Sequence, residues 1–162
     1  MPEPIDVAIL MGSENDWKVM KATVETLEDF GVKCEARVLS AHRTPAEAAA
    51  YVRECDAGGT RVFIAAAGMA AHLAGAVAAH TVRPVLGVPL AASDLDGMDA
   101  LLATVQMPPG IPVGTLAIGK PGATNAALLA ISILANERPG LREKLLAARA
   151  KKAEKILNTK LS

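Results

Sequence analysis

Aromatic side chains are scarce in this sequence: Trp17, Phe30, Tyr51 and Phe63 are the only four, 2% of 162 residues. A flavin is usually walled by aromatic rings. With Phe30 and Phe63 read as core, little remains to hold one. Cysteine is rarer still. Cys34 and Cys55 make neither a disulfide framework nor a metal-ligand spacing, which fits a reducing compartment. No Asp, His or Cys cluster has the spacing of a metal site. Neither sign of charge is in excess, with 17 Lys and Arg against 17 Asp and Glu. That balance provides no electrostatic footprint for nucleic acid or a membrane surface. The Lys and Arg residues near the C-terminus are broken up by Glu143 and Glu154, the pattern of a solvated helix face. No apolar run reaches the ~20 residues of a spanning helix. The Met-Pro-Glu-Pro start lacks the basic region of a signal peptide. The expectation is a soluble, cytoplasmic protein with no nucleic-acid or membrane partner.

Hydrophobic residues, by contrast, make up 51% of the chain. That is ample for a packed core, and the length fits one domain spanning residues 1–162. Much of the apolar content is alanine. Small side chains let helices approach closely but bury little area each, so subunit interfaces are expected to supply part of the buried surface. Strands are expected at residues 5–11, 34–39, 62–67, 84–88 and 113–118. Helices are expected at 17–30, 45–56, 70–80, 97–105, 124–136 and 139–157. The helix at 124–136 is apolar enough to ask for burial nearly all round. The C-terminal segment 139–162 carries a helix with apolar Leu141, Leu145, Ala148 and Ile156 beside a charged face. It either packs on its own sheet or reaches a neighbouring subunit. Strand and helix alternate five times, which predicts an α/β fold: a parallel sheet with helices on both faces, right-handed crossovers and an extra C-terminal helix.

In an open α/β sheet, ligands bind at the carboxyl edge, where strands hand over to helices. Three such turns carry chemistry here. The second is the richest: Val38-Leu39-Ser40-Ala41-His42-Arg43-Thr44-Pro45 ends a strand, presents a hydroxyl, an imidazole and a guanidinium, then starts a helix. Thr44 is the expected N-cap, Pro45 the first helical residue and Glu47 the partner in a capping box. His42 suits proton transfer and Arg43 an anion clamp; alternatively, His42 is a loop histidine and Arg43 a surface residue. The first turn, Gly12-Ser13-Glu14-Asn15-Asp16, can hold a phosphate on helix-start amides and the Ser13 hydroxyl, with Asp16 accepting from sugar hydroxyls. Equally, Ser13 or Asp16 merely caps the helix. The turn has neither a P-loop nor a dinucleotide fingerprint. In the third turn, Gly68 and the small residues after it let a ligand lie against backbone. His72 is the sole polar side chain there, either part of the site or a core histidine. No serine sits in a nucleophile elbow, so an enzyme without cofactor or metal is the simplest reading.

Seven blocks together carry a resemblance. Gly-Ser-x-x-Asp-Trp at 12–17, Ser-Ala-His-Arg-Thr-Pro at 40–45, Ala-Ala-His-Leu at 70–73, Gly-Val-Pro at 87–89, Gln-Met-Pro at 106–108, Gly-Ile-Pro-Val at 110–113 and Asn-Ala-Ala-Leu-Leu-Ala at 125–130 resemble the 5-(carboxyamino)imidazole ribonucleotide mutase family of purine biosynthesis. The resemblance implies a three-layer, flavodoxin-like fold and a cytoplasmic homo-octamer. It implies movement of a carboxylate from the exocyclic nitrogen to ring carbon 4 of aminoimidazole ribonucleotide, with no ATP, metal or other cofactor. It also implies a functional link to the ATP-dependent synthetase that makes the substrate. By resemblance, Ser13, Asp16 and Arg43 bind the nucleotide and His42 moves the proton. Gly12, Ser40, Ala41, Gly68 and His72 line the same pocket. Many family members have serine at Asn15, glycine at Met69 and proline at Ala74. The rivals are a direct carboxylase using carbon dioxide and a flavodoxin-like carrier or nucleotide-binding module.

Overall fold

Five strands make one all-parallel sheet in the computed structural model, which describes residues 4–161. Most of the Met-Pro-Glu-Pro start lies outside the described residues. The strands are β1 (Val7–Met11), β2 (Cys34–Val38), β3 (Val62–Gly68), β4 (Val85–Leu90) and β5 (Gly114–Thr115), in the order β2-β1-β3-β4-β5. This is the flavodoxin-like order. The chain begins in the middle of the sheet, winds out to β2, then crosses back over β1 to β3. Its direction of travel therefore reverses between β1 and β3. Loops leaving those two strands diverge and open a crevice at the carboxyl edge.

The helices are α1 (Trp17–Asp29), α2 (Pro45–Ala57), α3 (Leu73–Ala78), α4 (Met98–Val105), α5 (Lys120–Ala135) and α6 (Pro139–Leu157). Strand side chains alternate between two cores, as a pleated sheet requires. Val7, Ile9 and Met11, with Val62, Ile64, Leu86 and Val88, face the alanine-rich side of α5 and Met20 and Leu27 of α1. Ala8, Leu10, Phe63 and Val85 face Tyr51 and Val52 of α2 and Leu73 and Val77 of α3. Small residues set the layer spacing. Thr23 of α1 donates to the Ala123 carbonyl of α5 at 2.8 Å. A Cβ on Gly87 would come within 2.4 Å of the Thr104 methyl of α4. The edge strand β2 carries Glu35 and Arg37. The Tyr51 hydroxyl donates to Glu35 at 3.1 Å and the Arg37 guanidinium lies 4.6 Å from the Tyr51 ring centre.

Several elements differ from expectation for local reasons. β5 is two residues rather than six, because Pro112 and Gly119 bound a segment that pairs only with β4. α3 begins at Leu73 rather than at residue 70, since Ala70 and Ala71 belong to a tight turn. α5 begins at Lys120, four residues early, because Pro121 stands in its first turn after Gly119 at φ +76°. It is not buried all round: Ala123, Ala126, Ala127, Ala130 and Ile131 are fully buried, whereas Leu129 is 40% exposed. The root of α6 packs on its own chain. Leu141 is buried, Arg138 pairs with Asp6, and the Lys144 ammonium donates to the Phe30 carbonyl at 3.0 Å. Beyond residue 150 every described residue of α6 is exposed.

Candidate active site

The second turn folds on itself. Thr44 points its hydroxyl back to Ser40, accepting from the Ser40 amide at 2.8 Å and donating to its carbonyl at 3.2 Å. Its side chain is therefore not available to cap α2, and the expected capping box with Glu47 does not form. The Ser40 hydroxyl accepts from the Arg43 amide at 3.1 Å. This closed turn leaves His42 and Arg43 as its two outward side chains, both exposed.

The first turn is closed by its own polar groups. The Asp16 carboxylate accepts from the Ser13 amide at 3.0 Å, and the Ser13 hydroxyl accepts from the Asn15 amide at 3.2 Å. The capping alternative is thus realised, and it leaves function open. A hydroxyl that accepts from an amide still has its proton to donate, and Asp16 has a second oxygen to accept with. Burial pushes the Asp16 carboxyl above its ordinary value, opposed by the Ser13 and Gly12 amides. The guanidinium of Arg43 donates to the Gly12 carbonyl at 3.1 Å and ties the second turn to the first.

His72 stands where the third turn enters α3. Its imidazole is exposed, so it is not a core histidine. Its Nδ1 lies 2.6 Å from Nε2 of His42, with the rings edge to face and their centres 4.8 Å apart. One of the two must donate and the other accept, so each ring fixes the other's tautomer and tilt.

All nine residues singled out from the sequence line one cavity of about 620 Å³: Gly12, Ser13, Asp16, Ser40, Ala41, His42, Arg43, Gly68 and His72. A cavity of this size accommodates a nucleotide-sized ligand. Asn15 and Met69 also line it, while Ala74 is buried in α3 and does not. Sequence reasoning missed Ala92, which closes one wall from the β4–α4 loop. The available signal was positional: β4 lies next to β3, so its carboxyl end also borders the crevice. Gly68 is needed because a Cβ there would fall 2.5 Å from the Ala92 Cβ. Among the described residues, no group of three or more His, Cys, Asp or Glu is placed to hold a metal ion.

A sequence profile of the family described as AIR carboxylase matches residues 6–155. The N5-carboxyaminoimidazole ribonucleotide mutase of Brucella melitensis is 53% identical over 90% of this chain and 86% of its own length. The protein of the same name from Saccharolobus solfataricus is 52% identical over 96% of this chain and 95% of its own. The Escherichia coli protein of that name is 48% identical over 95% and 91%. Among solved structures, Treponema denticola PurE superposes with a TM-score of 0.85 at 26% identity, covering 93% of each chain.

Proposed function

The chain belongs to the AIR carboxylase family, and on that premise we propose that it is an N5-carboxyaminoimidazole ribonucleotide mutase of de novo purine biosynthesis. The observation that carries this reading is identity near 50% to proteins of that name over almost the whole length of both partners. The geometry supports it with one cavity lined by a hydroxyl, a carboxylate, a guanidinium and a pair of imidazoles.

The ribonucleotide phosphate lies at the first turn, on the Ser13 hydroxyl proton, with the Arg43 guanidinium beside it; the Ser13, Asn15 and Asp16 amides are spent within the turn. Asp16 accepts from ribose hydroxyls. Ser40, Ala41 and the Gly68 backbone flank the imidazole. His42 faces the ring and moves the proton. Protonation of the carbamate nitrogen breaks its bond to the carboxyl carbon and releases carbon dioxide beside the ring amine. Carbon 4 attacks that molecule, a carbon–carbon bond forms, and the ring proton passes to His42. No net proton or electron is gained or lost, so the step needs no redox partner and no phosphoryl donor. The imidazole acts as general acid and then general base, and walls of small residues hold the gas near carbon 4. His72, bonded to His42, sets the orientation of that ring.

The same reading makes the enzyme a cytoplasmic homo-octamer, supplied by an ATP-dependent synthetase. Apolar side chains open to solvent in the single chain favour assembly: Met98, Leu102 and Val105 on α4, and Leu129 on α5, are each 40% exposed or more. The test is a paired assay without ATP or flavin. One arm offers the N-carboxylated ribonucleotide, the other the uncarboxylated ribonucleotide with bicarbonate. Carbon-4 carboxylate from the first arm alone supports the mutase. Efficient product from the second arm would replace it with a direct carboxylase, and silence in both would leave a binding module.

A further inference from the structure

The loop from β4 to α4 is tied more tightly than a connection needs. It leaves the sheet at Leu90, which pairs in register with Gly68 at the end of β3. Ala92 then packs on the bare backbone of Gly68, where a Cβ would fall 2.5 Å from its own, and forms one wall of the cavity. Beyond it the chain reverses through Leu95-Asp96-Gly97-Met98. The Met98 amide donates to the Leu95 carbonyl at 3.0 Å, and Asp96 and Gly97 have φ of +52° and +87°, the signs of a type I′ turn. Gly97 has no room for a side chain, because its Cβ would lie 2.6 Å from an Ile118 methyl.

Two side chains clasp this loop. The Ser93 hydroxyl donates to an Asp99 carboxylate oxygen at 2.7 Å and accepts from the Leu95 amide at 3.1 Å. The Ser93 carbonyl accepts from the Asp96 amide at 3.2 Å. Asp99 thus reaches back six residues, from the first turn of α4 to the neighbour of Ala92. An acidic residue in a first helical turn suits the helix dipole, and a carboxylate facing solvent would serve that purpose. This one turns inward instead. Its other oxygen, Oδ1, is shut off from solvent and has no hydrogen-bond partner among the described residues. An unpaired buried acceptor costs stability, so stability alone does not account for the arrangement. What the clasp fixes is the segment that carries Ala92.

Resting on the mutase reading above, we propose that Asp99 is a positioning residue for the carboxylate shift. Through Ser93 it holds Ala92 against Gly68 and keeps the β4 wall of the pocket shut while carbon dioxide is free. Asp99 does not line the cavity, so it acts through the loop and not on the reacting atoms. The small side chains make the wall tight, and the clasp keeps it in place. Retention of the gas is a ratio of two rates, capture by carbon 4 against escape. Loosening the wall raises escape and leaves the proton chemistry at His42 in place.

The experiment supplies the full-length enzyme with N-carboxylated ribonucleotide labelled with ¹³C in the carboxylate, in unlabelled bicarbonate buffer. It measures the fraction of carbon-4 carboxylate that keeps the label, and the decarboxylated ribonucleotide formed above the enzyme-free rate. Both are counted per turnover, so a merely structural role, which changes how much enzyme is folded, would not move them. Wild type is expected to keep nearly all the label. Asp99→Ala should raise washout about tenfold, the worth of one hydrogen bond to a charged group, with KM nearly unchanged because the phosphate and ribose contacts lie on other turns. Ser93→Ala breaks the same bond from its other end and should leak alike, and the double variant should leak no more than either. Asp99→Asn, whose carboxamide oxygen still accepts from Ser93, should retain more label than Asp99→Ala. If one single variant fails to fold, the other makes the same test. Wild-type retention in either folded variant would overturn the proposal, as would Asp99→Asn leaking as freely as Asp99→Ala or additive leakage in the double variant. A wild-type enzyme that makes no product overturns the mutase reading itself, whereas product with wild-type retention in the single variants overturns only the role of Asp99.

Discussion

Replacing His72 by asparagine separates the duties of the two histidines. The 2.6 Å contact between His42 Nε2 and His72 Nδ1 joins two exposed rings. A bond of this kind contributes about 0.5–1.5 kcal/mol. If its whole effect is to hold His42 in the productive tilt and tautomer, losing it lowers kcat about 2- to 12-fold. Removing a general acid–base group outright costs about 10²- to 10⁴-fold. His72→Asn is therefore expected to keep most of the activity that His42→Asn loses, and to act on kcat more than on KM, because the phosphate and ribose contacts lie on the other two turns. Its stability should stay within about 0.5 kcal/mol of wild type, as for other exposed side chains. Steady-state kinetics on the N-carboxylated ribonucleotide, with thermal unfolding as control, provides the assay. A loss as large as that of His42→Asn would refute the reasoning, since His72 would then touch the reacting atoms. No loss at all would refute it too, because the contact would be idle.

Gly122→Ala should be severely destabilising. Its Cβ would lie 1.7 Å from the Ala117 carbonyl oxygen, so the start of α5 must move away from a core of fully buried alanines. A cost near the upper end of the usual 1–3 kcal/mol for overpacking, read as a lowered urea midpoint, is expected; an unchanged midpoint would show that this junction yields freely. Acid should weaken the root of α6. The hydrogen bond from Arg138, opposed by partial burial, holds the Asp6 carboxyl below its ordinary 3.8. A depressed carboxylate stabilises the fold above its unfolded pKa, and that contribution is lost as pH falls through the lower folded value. With both side chains partly open to solvent, the pair contributes at most about 1 kcal/mol. Asp6→Asn should lower the urea midpoint slightly at pH 7 and make no difference well below pH 3.8; an equal effect at both would assign the loss to something other than charge.

Much of this architecture was legible from residues alone. Continuous apolar runs at β1, β3 and β4 could only be strands covered on both faces, and Gly-Pro punctuation separated them cleanly. The site was legible for the same reason. A parallel sheet places every strand's carboxyl end on one edge, so residues at 12–16, 40–43 and 68–72 had to converge. Hydrogen-bond competition within a turn was not readable. Thr44 has the right type and spacing to cap α2, yet its hydroxyl is satisfied by Ser40 four residues earlier. The contact between His42 and His72 was hidden because it depends on how far α3 is pushed back, which the short turn at residues 69–72 decides. α5 misled through composition: its alanines and Leu134 bury one face tightly, while Leu129 faces outward from a single chain.

The central claim is that His42 carries the proton for a carboxylate shift within one bound ribonucleotide. A single-turnover experiment addresses it most directly, with enzyme in excess over N-carboxylated ribonucleotide and carbon-4 carboxylate followed in wild type and His42→Asn. The account predicts rapid product in wild type, and in His42→Asn a product rate lower by about 10² or more with substrate still bound. Product formed by His42→Asn at the wild-type rate would contradict it.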